Sequence, residues 1–444
     1  IKSGIPIMPV DSFHPEFSLH SKQVKRCRDC YSGSDSIKSA GAVYLPRLQK
    51  QEDTDYSAYL DRSLFYGATG RTVTALTGVV TYKKPIYKSS GETIPPSELP
   101  ENVDQLVEST VRNILIAGRH ILLVDYDDRK GTTKIVEYPS EALINWFDGV
   151  MVLKETVVVA GRDEFDLTEE TRYRVLALIE NEYTVSVYNE EGDLIESYTP
   201  VVRGKPLDFI PAIVMTTAGI SCTPQKPPVL DLVDVNLSHY RSSADLEHGR
   251  HFTALPTPWV SGVSGQSDQE LYIGTTSAWI LPDPQSRAGF LEFQGQGLGS
   301  LENALKNKES MMSSLSARLF EKDSRVSESA ETMQTRQNNE SGILSNIARV
   351  AEYGVSRALS ISLTWQNEPT ISKDVITVEL SRDYMRTPLG HSDIKALIEA
   401  YQADMISMDT FLYNMEQGEK LPPDVTVEDE MSRLNTDSTT TQEK

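Results

Sequence analysis

Basic residues are what this 444-residue chain is short of. Its 43 lysines and arginines stand against 64 aspartates and glutamates, a formal net charge of −21. Sequence-independent grip on nucleic acid relies on lysine and arginine neutralising phosphates, so this balance argues against an ordinary DNA binder. Cysteine is scarce too. Cys27, Cys30 and Cys222 are too few, and odd in number, for a disulfide-stapled secreted fold. Cys27-Arg28-Asp29-Cys30 is a lone CxxC. It supplies two of the four ligands a tetrahedral zinc wants and lacks the βαβ setting of a thioredoxin-like pair, so two reduced thiols are expected. No apolar run approaches roughly 18 residues. The longest, such as Gly149 to Ala160, carry Lys154 and Glu155 inside them, and no transmembrane helix is expected. The start, Ile1-Lys2-Ser3-Gly4-Ile5, lacks a basic segment, an apolar run and a cleavage site, so no signal peptide is expected.

Catalytic signatures are also missing. No GxxxxGK[ST] cradle for ATP phosphates, no HExxH and no GxSxG elbow occurs. Gly295-Gln296-Gly297-Leu298-Gly299-Ser300 stands where a dinucleotide loop would, but Ser300 occupies the third glycine position, and a hinge is the expectation. His248 and His251 lie three apart near a helix end without an evident third ligand, which reads as a solvated helix terminus. Carboxylates abound, but no pair stands out. The expectation is no cofactor, no metal and no catalytic turnover.

What is present is globular composition, 39% hydrophobic, at a length that suggests about three domains. In the first ~50 residues His14-Pro15-Glu16-Phe17 and Tyr44-Leu45-Pro46 read as breaks in regular structure. Asp55 to Tyr66 has helical spacing, and Thr72 to Tyr82 suits strand or helix. Asn102 to Ala117 is an amphipathic helix capped by Gly118. Ile121 to Val124 reads as a buried strand closed by an Asp125-Tyr126-Asp127-Asp128 turn. From Ile144 to Pro211 the period is that of strands, with a hairpin turn at Glu190 to Asp193. Pro224 to Pro228 precedes a long helix to about Arg250, striped by Leu230, Val233, Leu237, Tyr240 and Ala244. A Gly-, Pro- and Ser-rich insert follows. Ser300 reads as the cap of a second helix to about Phe320. After the polar stretch Lys322 to Asn339 come a helix from Ser341 to about Trp365, a strand from Val375 to Leu380, and helices at His391 to Tyr401 and Ser407 to Gln417. A helix out, a compact β insert and a helix back make an arm with a knob. Its apolar stripes are expected to need neighbouring copies for cover, which implies a homo-oligomer.

The order of these segments resembles the portal proteins of tailed phages. In the N-terminal half the resemblance rests on His14-Pro15-Glu16, Arg28-Asp29, Gly41 to Pro46, Tyr59-Leu60-Asp61-Arg62, Arg71-Thr72-Val73 and Leu76-Thr77-Gly78. Gly118 to Asp125, Tyr138 to Glu141 and Ile144-Asn145-Trp146 continue it. Downstream it rests on Leu230 to Asn236, the Gly-rich insert, Ser329-Ala330-Glu331, Arg382-Asp383-Tyr384 and Met405 to Phe411. It resembles in particular a portal-like family once classed as a domain of unknown function, and it spans nearly the whole chain. No role for Cys27 and Cys30 comes with it.

The resemblance implies an α+β portal fold, with a mixed α/β wing, a two-helix stem, a small β clip, a spine helix and a helical crown. The wing would be residues 1–227, the stem 228–252 and 299–320, and the clip 253–298. Residues 321–388 would hold the tunnel loop, spine helix and returning wing strand, and 389–444 the crown. It implies a ring of about twelve copies at one capsid vertex, assembled in the host cytoplasm and carried in the virion. Its partners would be double-stranded DNA, a terminase motor, head–tail adaptor and tail proteins, and the capsid and scaffolding proteins, with no membrane. Lys306, Lys308 and Arg318 on the second stem helix, and Lys322, Arg325 and Arg336 in the polar stretch, become candidate channel-lining charges. An acidic chain suits a conduit in which DNA slides without sticking. Two other classes stay open: a virion adaptor without a channel, and a carboxylate–metal enzyme acting on nucleic acid.

Overall fold

Gly118 shows how the local signals work. Helix α5 (Val103–Ala117) ends where Gly118 turns left-handed, at φ 69°, and returns its N–H to the Ile114 carbonyl at 2.8 Å. A Cβ there would strike the Gln225 carbonyl oxygen at 2.6 Å, so the glycine also admits the irregular segment leading into the next long helix. In this computed structural model of the chain, the structure describes residues 9–127, 131–160, 166–254, 257–261, 285–291, 297–320, 342–367, 372–380, 391–403, 405–417, 420, 427 and 430–433. It divides into two units, Ile1–Ser381 and Arg382–Lys444, rather than the three that length suggests.

The first unit opens with two helices between the expected breaks, α1 (Phe17–Ser32) and α2 (Ser34–Ser39). Pro15 does not break α1 because it stands just ahead of the first turn, where a missing N–H costs nothing. Helix α3 (Asp53–Arg62) stops short of the expected Tyr66. Ser63 turns extended and its hydroxyl sits 2.6 Å from the Leu60 carbonyl, competing with the helix. Helix α4 (Ala68–Val80) settles the ambiguous Thr72–Tyr82 segment. Strands β1 (Ile86–Ser89) and β2 (Glu92–Thr93) precede α5.

After α5 come β3 (Arg119–Asp127), β4 (Thr132–Pro139), β5 (Leu143–Phe147), β6 (Val150–Ala160), β7 (Leu167–Ile179), β8 (Glu182–Tyr188), β9 (Leu194–Tyr198), β10 (Val201–Val202), β11 (Lys205–Pro206), β12 (Ala212–Thr216) and β13 (Gly219–Ile220). The turn expected at Asp125 is instead strand. β3 pairs with β4 from His120↔Pro139 to Asp127↔Thr132, and that ladder outweighs the turn preference of the aspartates. Asp125 is used laterally: it lies 3.5 Å from Arg174, which also donates to Glu155 at 2.7 Å. The Glu190–Asp193 turn stands as expected, with Asn189 and Asp193 joined at 3.0 Å. β5 to β9 form an antiparallel meander in sequence order, and β13-β12-β3-β4 form a second sheet.

The long helices are α6 (Leu230–Ala254), α7 (Leu298–Phe320) and α8 (Ile343–Asn367). Between α6 and α7 the described residues form a two-stranded ribbon, β14 (Thr257–Ser261) and β15 (Arg287–Leu291). Ser300 lies inside α7 and is not its cap, since the helix begins at Leu298 and Leu301 already donates to the Gly297 carbonyl. α8 crosses β3, β4 and β12. Gly354 permits that crossing, because a Cβ there would overlap Met215 of β12. Strand β16 (Ile376–Glu379) pairs with β1. Its other edge is held by a row on α8 at four-residue spacing. Ser356 accepts from the Val378 N–H at 2.8 Å, Ser360 from Ile376 at 2.8 Å, Thr364 from Ser372 at 3.1 Å, and Glu352 from Leu380 at 2.8 Å. The mixture of helix and strand agrees with the expected α+β class.

The helices and sheets meet around Arg119, which is fully buried without a carboxylate partner among the described residues. It donates to the Ser140 hydroxyl and to the carbonyls of Ser140, Leu143 and Cys222 at 2.7–3.1 Å, and it lies over the Trp146 ring. Burial holds its pKa down at about 10. His20 of α1 reaches the same Ser140 hydroxyl at 2.6 Å. The second unit is described by two helices, α9 (His391–Gln402) and α10 (Met408–Gln417). Tyr401 and Phe411 stack at 5.4 Å, and Ser407 caps α10 by accepting the Thr410 N–H at 3.2 Å.

Candidate functional site: the helix pair and its ribbon

Pro227 and Pro228 stop the preceding chain, and α6 starts as Leu230 donates to the Pro227 carbonyl. Its expected stripe is present: Leu230, Val233, Leu237, Tyr240 and Ala244 are all 4% exposed or less. The cover comes from this chain itself, which corrects the expectation that neighbouring copies would supply it. Helices α1, α3, α4 and α7 all pack on α6, and Leu232, Asn236, His239 and Leu246 on its other faces are buried as well. α6 is a core helix, and its stripe gives no argument for an oligomer.

Polar contacts fix its register. The Asn236 amide oxygen accepts the Thr69 N–H at 3.2 Å and the Thr69 hydroxyl at 2.9 Å, while its nitrogen donates to the Tyr66 carbonyl at 2.7 Å. It thus serves the orphan donors at the start of α4 from across the core. Tyr59 donates to Asp245 at 2.7 Å, and Arg241 to the Tyr44 carbonyl at 3.0 Å.

α7 lies on the outside of α6. Its inward side packs Met312 against Leu232 and Ala68, with Leu315 beside them. At the distal end Gly249 lets the helices close, since a Cβ there would meet Leu298 at 2.7 Å. The charges on α7 divide cleanly. Glu302 pairs with Arg250 at 2.9 Å, and Glu309 with His239 at 3.4 Å. Lys308 donates to the Ser238 carbonyl at 3.0 Å and the Ser242 hydroxyl at 2.5 Å. Burial lowers the His239 pKa against the pull of Glu309, and it lowers that of Lys308 too. Every acid on α7 is therefore matched with α6.

The outward side keeps Asn303, Lys306, Asn307, Ser310, Ser313 and Ser314, with Met311 among them and Arg318 beyond, all exposed. Among the described residues Lys306 and Arg318 have no carboxylate partner. Twelve residues separate them, about 18 Å along the helix. So of the three candidate charges on α7, two sit on the open face, and Lys308 is drawn against α6. Lys322, Arg325 and Arg336 lie outside the described residues, as does most of the expected clip. The sequence pattern could not tell Lys306 from Lys308. The signal that separates them is the serine pair at 238 and 242 on the facing helix.

Cys27 and Cys30 are buried, reduced and on one side of α1. Burial pushes the Cys27 thiol up to about 12 and Cys30 higher still, the condition of inert thiols.

Residues 228–366, which run from the start of α6 through α8, match a family model described as "Domain of unknown function (DUF4055)". No curated protein matches the chain. Among solved structures, a chain of "Neck of empty GTA particle computed with C6 symmetry" aligns at 12% identity over 86% of this chain and 97% of that one, with a TM-score of 0.37. A chain of "Virion of native gene transfer agent (GTA) particle" aligns at 12% identity over 84% and 96%, also with a TM-score of 0.37. No helix among the described residues is long and apolar enough to cross a membrane.

Proposed function

We propose that this protein is a phage portal subunit, several copies of which close into a ring at one capsid vertex and pass double-stranded DNA. The observation that carries the reading is the outward face of α7. A helix that sets its two acids beside partners on its neighbour, and turns amides, serines and two cations outward, suits a duplex that must slide. Short polar groups make weak contacts in any register, and sparse cations offset phosphate charge without holding it. In this reading Lys306 and Arg318, and with them Lys322, Arg325 and Arg336, face the DNA, while Lys308 fixes the helix pair. α6 and α7 are the stem, β14 and β15 belong to the clip, α8 is the spine, and α9 and α10 belong to the crown. The packaging energy comes from a separate terminase ATPase. That motor and the head–tail adaptor dock on the ring, which resides in the virion and has no turnover of its own.

The test is the mass and shape of the full chain in solution. Twelve copies of a 49.5 kDa chain give a ring of about 600 kDa, and images down its axis show an open centre. A stable monomer at high concentration counts against the reading. The self-covered α6 suits a virion adaptor without a channel equally well, and a ring or disc with a closed centre would favour that alternative.

A further inference from the structure

The five-stranded sheet ends unevenly. β6 and β7 pair over their whole length, from Val150↔Ala177 to Ala160↔Leu167. β5 covers β6 only as far as Leu153, and β8 covers β7 only from Tyr173 onward. Beyond that point the two strands run on as a ribbon with no third strand among the described residues, for about 20 Å. Cross-strand partners share a face, as do residues two apart, so Val158, Leu167 and Glu169 lie together on one side. Val158 is 61% exposed and Leu167 67%. A two-stranded ribbon is marginal by itself in water, and its open edges and apolar side chains invite a partner.

A groove elsewhere in the same unit is the chemical complement. It has a volume of about 620 Å³ and runs between α1, α6 and the segment at Val43. Leu19 (67% exposed) and Val43 (68%) form its apolar part. Lys22, Lys25, Arg26 and Arg241 line it against a single acid, Asp234. Arg26 pairs with Asp234 and Lys25 with Asp29, whereas Lys22 has no carboxylate partner among the described residues. In a chain of net charge −21, a lining of four cations to one acid marks a place for an acidic, apolar segment. At the tip of the ribbon Glu169 is the only charge on the face with Val158 and Leu167, Lys154 standing further back on it, and both surfaces are exposed at once within one chain.

We propose that the β6–β7 ribbon of one copy seats in the α1–α6 groove of the next. Leu19 and Val43 would receive Val158 and Leu167, and Lys22 would meet Glu169. This contact joins two different surfaces, so it propagates from copy to copy and closes when the rotation allows. It rests on the ring reading, for which it supplies the contact that the stripe on α6 does not.

The experiment places Val158→Cys and Leu19→Cys together in the full chain and oxidises gently. A disulfide-linked ladder of dimers and higher species is expected, and neither single variant should give one. Lys22→Glu or Glu169→Lys should each raise the concentration needed for assembly by roughly tenfold, and the two together should restore it. Full rings that yield no ladder and ignore both charge changes overturn the ribbon contact and leave the ring reading standing. A monomer without a ladder overturns both. A ladder without closed rings keeps the contact and removes the ring.

Discussion

The crossing of α8 over β12 allows a prediction whose sign depends on the partner residue. Alanine at position 354 places a Cβ that overlaps Met215 and comes within 2.7 Å of its Cγ. Both chains are buried here, Met215 completely, so the methionine cannot swing into solvent. Overpacking of this kind costs about 1–3 kcal/mol, while removing a mid-helix glycine returns about 1 kcal/mol. With the Cβ overlapping the sulfur the cost lies toward the upper end, so Gly354→Ala should destabilise the first unit by up to about 2 kcal/mol. Met215→Ala alone opens a cavity and should cost about 2–5 kcal/mol. In that background Gly354→Ala meets no sulfur, partly fills the space, and should stabilise by about 0.5–1 kcal/mol. A urea-melt cycle over the four proteins, read at constant slope, measures the coupling. If Gly354→Ala has the same sign in both backgrounds, the close crossing is not what fixes the glycine.

Four further outcomes follow from the same geometry. Burial, reinforced by Arg119, lowers the His20 pKa to about 4. The unfolded chain then takes up a proton below pH 6.5 that the folded one refuses. Stability should fall as pH drops from 6.5 toward 4, and His20→Gln should lose less over that interval in urea melts at stepped pH; equal losses would refute the assignment. Asn236→Ala should cost about 3 kcal/mol by leaving the Thr69 N–H and the Tyr66 carbonyl unpaired in the core, and a cost under about 0.5 kcal/mol in the same melts would contradict the bracing role. Native protein treated with iodoacetamide at pH 8 should carry no label on Cys27 or Cys30, and mass spectrometry should find all three cysteines labelled after denaturation. Lys306→Ala with Arg318→Ala should leave stability within about 0.5 kcal/mol yet change the DNA content of assembled particles, whereas Lys308→Ala should act on stability instead; unaltered filling in the double variant would remove both cations from the proposed passage.

The sequence was legible where one physical signal dominated. Gly118 ends α5, Gly192 sits in the hairpin between β8 and β9, and Ser407 caps α10, each because one residue type suits one backbone geometry. It misled where a local preference met a stronger tertiary term. Asp125 favours a turn, yet the β3–β4 ladder and the Arg174 contact keep it in a strand. Pro15 looked like a break and is a helix entrance. The row Glu352, Ser356, Ser360 and Thr364 carries no signal in the sequence, since only β16 alongside shows that these side chains stand in for a neighbouring strand. Of the candidate site, the two-helix pair was readable, and which of its three cations stand exposed was not. The fate of Lys308 depends on Ser238 and Ser242 of the facing helix, which no periodicity reveals.

The largest change concerns α6, and it alters where an assembly argument can begin. A stripe of Leu230, Val233, Leu237, Tyr240 and Ala244 beside a proline break reads as a face seeking a partner, and the nearest imagined partner is another copy. The partners are α1, α3, α4 and α7 of the same chain, and Asn236, Tyr240 and Asp245 bind Thr69, Ser63 and Tyr59 through specific polar contacts while Arg241 holds the Tyr44 carbonyl. A helix held that way has no freedom to serve two roles. In the portal reading proposed above, the surface left for DNA is then the outward face of α7, and the surface left for neighbours lies away from the pair, where Val158, Leu167, Leu19 and Val43 remain in water. Under those two proposals the tasks fall to different elements: the outward face of α7 for the duplex, and the ribbon tip and the α1–α6 groove for the adjoining copy.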